Sequence, residues 1–279
     1  MKIKILWSLC FLLFSVSLST AIAFVMGEDD RQDAGENAEQ IAAVRQTGMI
    51  SIRGEQFVSG LVTGANCDVV VSAGHAAIHW ETVNRKGWRK GQIRGQGDFR
   101  FNLQPDGDLA WQKMRLVRSG YQLENNIGKD EHDWSVFRLQ QPALSQCENI
   151  AVRENKSDCS GDILMSAFHF DKPDTKLIDA SCSVKTASTE GVIVHDCDSK
   201  DGSSGAPLFC RQNGHSTLLA VNISGLTRKD YYDAGVFGKP GLQFDNRQHK
   251  NFAKNIGGAF YRALMKELRE SKNRSLVQD

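Results

Sequence analysis

Three polar side chains stand beside short apolar runs in an order that suits nucleophilic catalysis. His75 follows the run VVVSAG, Asp133 precedes WSVFRL, and Ser204 lies in the segment DGSSGAPLFC. Hydrolysis by an alcohol requires a hydroxyl, a base that takes its proton and a group that holds the base in position. Gly202 and Gly205 allow a tight turn around the serine, so the amide N–H groups of Gly202 and Ser204 can converge on a developing oxyanion.

Each of the three residues also has an ordinary structural interpretation. His75 alone fits a hydrogen-bonded turn histidine, Asp133 alone fits a strand-end cap, and Ser204 alone fits a serine turn. Their occurrence together, each beside an apolar run, favours a catalytic role over three unrelated structural ones.

Other polar residues near these positions are weaker candidates. His79 stands four residues after His75, but the glutamate that an HExxH zinc helix requires is missing between them. Asp130 and His132 flank Asp133 without preceding an alternating strand. Because the cysteines and histidines also lack the close spacing of structural zinc ligands, no metal, nucleotide or organic cofactor is predicted.

Short strands must position these residues. The apolar runs MISI, FVSGLV, DVVVSA, WSVFRL, DILMSAFHF, GVIVHD, APLF and LLAVNIS alternate with Gly, Asn and Asp. Short, frequent strands with few helical segments between them indicate antiparallel sheets or barrels. One amphipathic helix is predicted over 258–271, where Phe260, Leu264 and Leu268 recur at fourfold spacing.

The chain begins with the three parts of a secretory signal in residues 1–23. Lys2 and Lys4 precede an apolar run, and Ala21 and Ala23 mark the cleavage site. The run is shorter than the ~20 residues of a membrane span, so we expect a secreted or periplasmic protein without stable membrane association after signal removal. Residues 24–47 are polar and acidic and are expected to be a flexible lead-in or propeptide.

Charge and cysteine content narrow the function classes further. The 34 basic and 33 acidic residues nearly cancel, which leaves no basic excess for a nucleic-acid partner. Removal of the leader also removes Cys10, and an even set of six cysteines remains. In an oxidising compartment these allow three disulfides, whose connectivity the cysteine count leaves open.

The segments around His75, Asp133 and Ser204 resemble the three catalytic blocks of the chymotrypsin-like (trypsin-fold) serine peptidases and follow in the same order. GSSGAP is most similar to the serine block of the bacterial glutamyl-endopeptidase (V8-like) branch. The resemblance implies an all-β protein of two packed antiparallel six-stranded β-barrels with a C-terminal α-helix. An α/β-hydrolase would instead carry its acid and histidine after the serine.

The resemblance also assigns parts of the chain. Residues 48–145 would form the first barrel with the histidine and aspartate, residues 146–272 the second barrel with the serine and the helix, and residues 273–279 a tail. By position, the cysteines would pair as Cys159–Cys210 and Cys182–Cys197, which leaves Cys67–Cys147 as the third pair.

Specificity stays open between two branches of the family. Asp198 stands six residues before Ser204, where trypsin-like members keep the carboxylate that receives Arg or Lys. The V8-like branch instead receives acidic side chains with neutral and imidazole groups. Ser224 and Gly225 end a run that resembles the edge strand pairing with substrate backbone. In digestive members of the family, a newly cut N-terminus pairs with an aspartate at the position of Ser203. Because Ser203 carries no charge, activation by such an ion pair is not expected.

The sequence therefore predicts a monomeric serine endopeptidase that acts on a polypeptide substrate through an acyl-enzyme. His75 would be the general base, with activity rising near or somewhat above its ordinary pKa of ~6.5. Two alternatives remain: a catalytically silent binding module with this fold, and an esterase using the same three residues.

Overall fold

The computed structural model describes residues 25, 29–35, 41–54, 56–82, 89–93, 99–104, 110–122, 129–154, 159–187, 191–224 and 251–278. The predicted signal peptide, residues 1–23, and Gly225 lie outside these ranges. No helix within them is long and apolar enough to cross a membrane.

Strands dominate the described part of the chain. In chain order they are β1 Gln32–Asp33, β2 Thr47–Ile52, β3 Gln56–Thr63, β4 Val69–Ser72, β5 Ile78–Thr82, β6 Arg89–Ile93, β7 Phe99–Asn102, β8 Gln112–Ser119, β9 Ser135–Leu139, β10 Ala151–Val152, β11 Asp162–His169, β12 Lys172–Asp179, β13 Val184–Ala187, β14 Val192–His195, β15 Pro207–Gln212, β16 His215–Ser224 and β17 Asn251–Asn255. The α-helices are α1 Ala42–Arg45 and α2 Gly258–Gln278.

Six strands of the first half close into an antiparallel barrel. Their order is β2–β3–β4–β9–β8–β7, and β7 pairs back onto β2. Along β8, Met114 and Leu116 are buried, whereas Lys113 and Arg115 are exposed. This alternation with period two fills the barrel with apolar side chains and leaves charges in water. The predicted first antiparallel barrel is confirmed.

Strands of the second half, together with β1 from the N-terminal segment, form a nine-stranded sheet. Its order is β1–β12–β11–β15–β16–β17–β14–β13, and β10 runs parallel to β16 at one side. Among the described residues no further pairing closes this sheet into a separate six-stranded barrel. β1 and β10 are strands that the prediction does not include. Of the predicted two packed antiparallel six-stranded β-barrels with a C-terminal α-helix, the all-β class, the closed first barrel, the second, mainly antiparallel sheet and the helix are confirmed.

Part of the segment expected to be flexible packs against this sheet. β1 pairs with β12 through Gln32 and Asp33, and the N–H of Ala34 donates to the carbonyl of Lys176 at 3.0 Å. The side chains of Arg31 and Ala34 are buried. Further along, α1 buries Ala43 and Val44. These buried side chains explain why the segment is ordered at this point despite its polar composition.

Helix α2 docks the C-terminus onto both units. Phe260 and Leu264 are fully buried, and the Phe260 ring stacks on Trp134 with centroids 5.1 Å apart. The helix continues through the predicted tail to Gln278. Its second half is held by polar contacts, because Asp68 accepts hydrogen bonds from Ser271 at 2.6 Å and from Arg274 at 2.9 Å.

All three disulfides implied by the resemblance are formed. Cys67–Cys147, Cys159–Cys210 and Cys182–Cys197 have Cα–Cα distances of 5.3, 5.6 and 4.6 Å. These distances lie in the normal range for a disulfide. The predicted connectivity is therefore confirmed.

Replacing Phe260 with Ala should lower the free energy of unfolding by about 3–5 kcal/mol, because the substitution removes a buried ring and leaves a cavity beside Trp134. Denaturant unfolding followed by circular dichroism measures the change. Arg262→Ala, two residues further along on the exposed face of the same helix, should change stability by less than about 0.5 kcal/mol. Equal losses in the two variants would contradict the assigned docking of α2.

Candidate active site

His75 and Asp133 meet because the strands that carry them are neighbours. His75 lies in a 3₁₀ turn, Gly74–Ala77, just after β4, and Asp133 lies just before β9. β4 and β9 pair in antiparallel register, so the end of one strand faces the start of the other. A Cβ at Gly74 would stand 2.7 Å from the backbone nitrogen of Trp134, so only glycine permits this approach.

The contact between the two side chains is direct. The Nδ1 atom of His75 lies 2.8 Å from Oδ2 of Asp133, and the backbone N–H of His75 donates to Oδ1 at 2.7 Å. The aspartate side chain is 6% exposed and the imidazole 22% exposed. When Nδ1 carries the proton that Asp133 accepts, Nε2 of the neutral ring is left as the base.

Burial and charge act in opposite directions on the histidine. Burial lowers the pKa of His75, but the negative charge of Asp133 and its hydrogen bond raise it more, with a smaller contribution from Asp130. The net result is a pKa above the ordinary value of 6.5. The ring therefore holds its proton to a higher pH than a histidine in water.

Two further residues surround the Asp133 carboxylate. The side chain of Tyr121 is buried, and this burial together with the negative charge of Asp133 raises the pKa of the phenol. Burial, followed by repulsion from Asp133 and Glu131, raises the pKa of Asp130 to about 6. No motif or spacing in the sequence points to Tyr121, and the sequence marks Asp130 only as a weaker candidate.

The serine turn packs against the end of β4. Gly205 has a φ of +81°, and a Cβ there would overlap the Ser72 hydroxyl and the Ser59 carbonyl. The N–H of Ser59 donates to the carbonyl of Ser204 at 2.7 Å. A left-handed glycine thus brings the serine turn of the second unit to the strand end from which the histidine turn begins.

The Ser204 residue itself is 9% exposed. Among the hydrogen bonds of the described residues, none joins its hydroxyl to His75, so the structure links the histidine with the aspartate and brings the serine turn to the same strand end. Catalytic hydrogen bonds are often long in enzymes without substrate.

Internal hydrogen bonds orient the amide of Gly202. The carbonyl of Asp201 accepts the N–H of Phe170 at 2.6 Å. In a trans peptide the N–H points opposite to the C=O of the same unit. The Gly202 N–H is therefore directed away from Phe170.

The amide of Ser204 is oriented in the same way. The carbonyl of Ser203 accepts the N–H of Ala206 at 2.9 Å and the Nδ2 amide of Asn222 at 3.2 Å. Both donors, Ala206 and Asn222, are buried inside the protein, so the Ser204 N–H points away from that interior. Asn222 is also 3.1 Å from His195, whose pKa burial lowers to about 4.

No protein-family profile and no curated protein sequence matches the chain. Solved structures do match it. A Glu endopeptidase in complex with MPD has a TM-score of 0.62 at 17% identity, covering 88% of this chain and 99% of the other. A thermostable serine protease, AL20, from an extremophilic microorganism gives 0.57 at 16%, with coverage of 83% and 99%. The protease Anisep from Arthrobacter nicotinovorans gives 0.53 at 16%, with coverage of 79% and 94%. The fold is that of the chymotrypsin-like serine peptidases.

Within this chymotrypsin-like fold, the residues considered for specificity have different surroundings. Asp198 is 2% exposed, and its Oδ2 atom accepts the backbone N–H of Asp30 at 2.7 Å. Ser224 pairs through its backbone with Phe252 on β17, while its side chain lies outside the described part. Gly225 is outside the described residues.

One group of side chains in the described ranges has the composition of a metal site. Its members are Asp179, Cys182 and Cys197. The two cysteines form a disulfide with each other, so their sulfurs are not thiolates. This group therefore lacks the ligands of a zinc site.

In NMR titrations, the imidazole of His75 should show a pKa above 6.5, because attraction by Asp133 exceeds the effect of burial. In Asp133→Asn the burial remains and the attraction is lost, so the pKa should fall below 6.5. Asp174→Asn makes the same chemical change at an exposed carboxylate on β12 and should leave the His75 titration unchanged. A wild-type value at or below 6.5 would contradict the assigned pair.

Proposed function

We propose that the protein is a serine endopeptidase that hydrolyses peptide bonds through a covalent acyl-enzyme. The observation that carries the proposal is the buried hydrogen bond of His75 to Asp133 beside the glycine-bounded turn of Ser204. The chymotrypsin-like fold of the chain supports it, since proteases share that fold. The catalytic triad would be His75, Asp133 and Ser204.

In the first half of the reaction, the Ser204 hydroxyl oxygen attacks the carbonyl carbon of the scissile bond while Nε2 of His75 takes the hydroxyl proton. The carbonyl oxygen becomes an oxyanion, which the N–H groups of Gly202 and Ser204 stabilise. His75 then returns the proton to the leaving nitrogen, the C–N bond breaks, and the acyl group remains on the serine.

In the second half, water replaces the amine. His75 takes a proton from the water as its oxygen attacks the acyl carbon, and the proton passes to the Ser204 oxygen as the ester bond breaks. Asp133 remains ionised and stabilises the imidazolium in both halves. Because the pKa of His75 is raised, turnover should increase as pH rises through a value above 6.5.

The substrate we propose is a polypeptide that pairs with the end of β16, near Ser224 and Gly225. Asp198 was one predicted receptor for a basic side chain, but its carboxylate already accepts the N–H of Asp30. That bond counts against a preference for Arg or Lys. Three disulfides fit an oxidising compartment, which supports secretion or export to the periplasm.

A peptide library read by mass spectrometry tests the proposal against its two alternatives. We expect cleavage of internal peptide bonds by the wild type and a loss of at least about 1,000-fold in Ser204→Ala. Ser216→Ala, on β16 of the nine-stranded sheet and outside the site, should retain full turnover. Hydrolysis of simple esters alone would identify an esterase, and turnover of neither substrate class would identify a silent binding module.

A further inference from the structure

The loop that precedes the nucleophile is attached to the hairpin between β11 and β12. We call residues 199–203 the oxyanion loop and residues 168–172 the supporting hairpin. The N–H of Phe170 donates to the carbonyl of Asp201 at 2.6 Å, and the N–H of Lys200 donates to Nδ1 of His169 at 3.2 Å. The ammonium of Lys200 lies 2.7 Å from Asp171. The hairpin thus sets the direction of the Asp201–Gly202 peptide.

Arg31, from the N-terminal segment, holds the outer side of this hairpin. Its Nη1 and Nη2 atoms donate to the two carboxylate oxygens of Asp171 at 3.1 and 2.8 Å. Its Nε and Nη2 atoms donate to the two oxygens of Asp29 at 2.8 and 2.7 Å. The guanidinium therefore joins the segment and the hairpin by two bidentate pairs, the geometry that arginine fits and lysine does not.

This cluster differs from an ordinary surface ion pair. The Arg31 side chain is 2% exposed, whereas those of Asp29 and Asp171 are 45% and 33% exposed. Burying a guanidinium costs free energy unless its N–H donors form hydrogen bonds. Here both carboxylates accept hydrogen bonds from Arg31. Hydrogen bonds from Arg31 lower the pKa of Asp171 and lower that of Asp29 to about 2.

We infer that Arg31 is a positioning residue for the oxyanion hole. By fixing Asp171, it holds the supporting hairpin so that Phe170 keeps the Asp201 carbonyl inward and the Gly202 N–H directed at the developing oxyanion. The inference rests on the proposed function and deepens it. It also means that residues 29–34 belong to the working enzyme and are not a propeptide to be discarded.

The chain has a chemical reason to need such support. Ser203 occupies the position at which digestive relatives carry the aspartate that contacts a new N-terminus, and here its carbonyl is tied to Ala206 and Asn222. In this chain the buried charge that supports the oxyanion loop is instead the guanidinium of Arg31, which belongs to the N-terminal segment. An internal arginine performs this task whether or not the chain is cut upstream.

A double-mutant cycle in the full-length chain tests the inference. Arg31→Met and Asp171→Asn should each lower kcat about 10- to 100-fold, since misdirecting one oxyanion donor costs less than the roughly 100- to 1,000-fold of removing it. KM should change less than about threefold. The double variant should lose no more than the worse single variant. Arg115→Met, at an exposed position on β8, should behave as wild type.

Binding measurements separate positioning from general destabilisation. Binding of a peptide aldehyde, whose adduct with Ser204 carries an oxyanion, should weaken in Arg31→Met by the same factor as kcat. Binding of the cleaved product peptide should be unchanged. Arg31→Lys should recover part of both losses. Unchanged kcat in Arg31→Met, additive losses in the cycle, or equal weakening of aldehyde and product would overturn the inference. An inactive wild type would instead refute the proposed function itself.

Discussion

The buried hydrogen bond between His75 and Asp133 depends on the register in which β4 pairs with β9. Ser72 lies opposite Ser135 in that register, so the turn after one strand meets the residue before the other. A shift by one residue would turn the side chains of β9 to the opposite face and separate the pair. The strand pairing that brings His75 and Asp133 together therefore lies wholly within the closed first barrel.

The proposed nucleophile, Ser204, comes from the other unit, and its position depends on close contact between the two units. Gly205 fits against Ser59 and Ser72 of the first barrel, while Arg31 of the N-terminal segment contacts Asp171 in the supporting hairpin. The first contact sets where the serine turn lies, and the second, by our inference, sets the direction of the Gly202 amide. Geometry for attack and geometry for charge stabilisation thus have separate structural origins.

Much of this architecture could be predicted from local sequence pattern. The short apolar runs in VVVSA and WSVFRL are bounded by polar residues or glycine, a signal that acts over a few residues, and they predict the strands next to His75 and Asp133. Contacts between residues that are far apart in the chain have no such local pattern in the sequence. Arg31 meets Asp171 across 140 positions, and Asp68 meets Arg274 across 206, so neither the docked lead-in nor the full length of α2 could be inferred. Tyr121 was missed for the same reason, since its role arises only from its packing against Asp133.

The most direct test of the account is mass spectrometry of the protein after reaction with a fluorophosphonate, which attaches covalently to an activated serine hydroxyl. The account predicts a single adduct, mapped by peptide sequencing to Ser204, and its loss in His75→Ala because the base that activates the hydroxyl is removed. An adduct on another residue, or an adduct on Ser204 that forms equally fast without His75, would contradict the claim that these side chains act together.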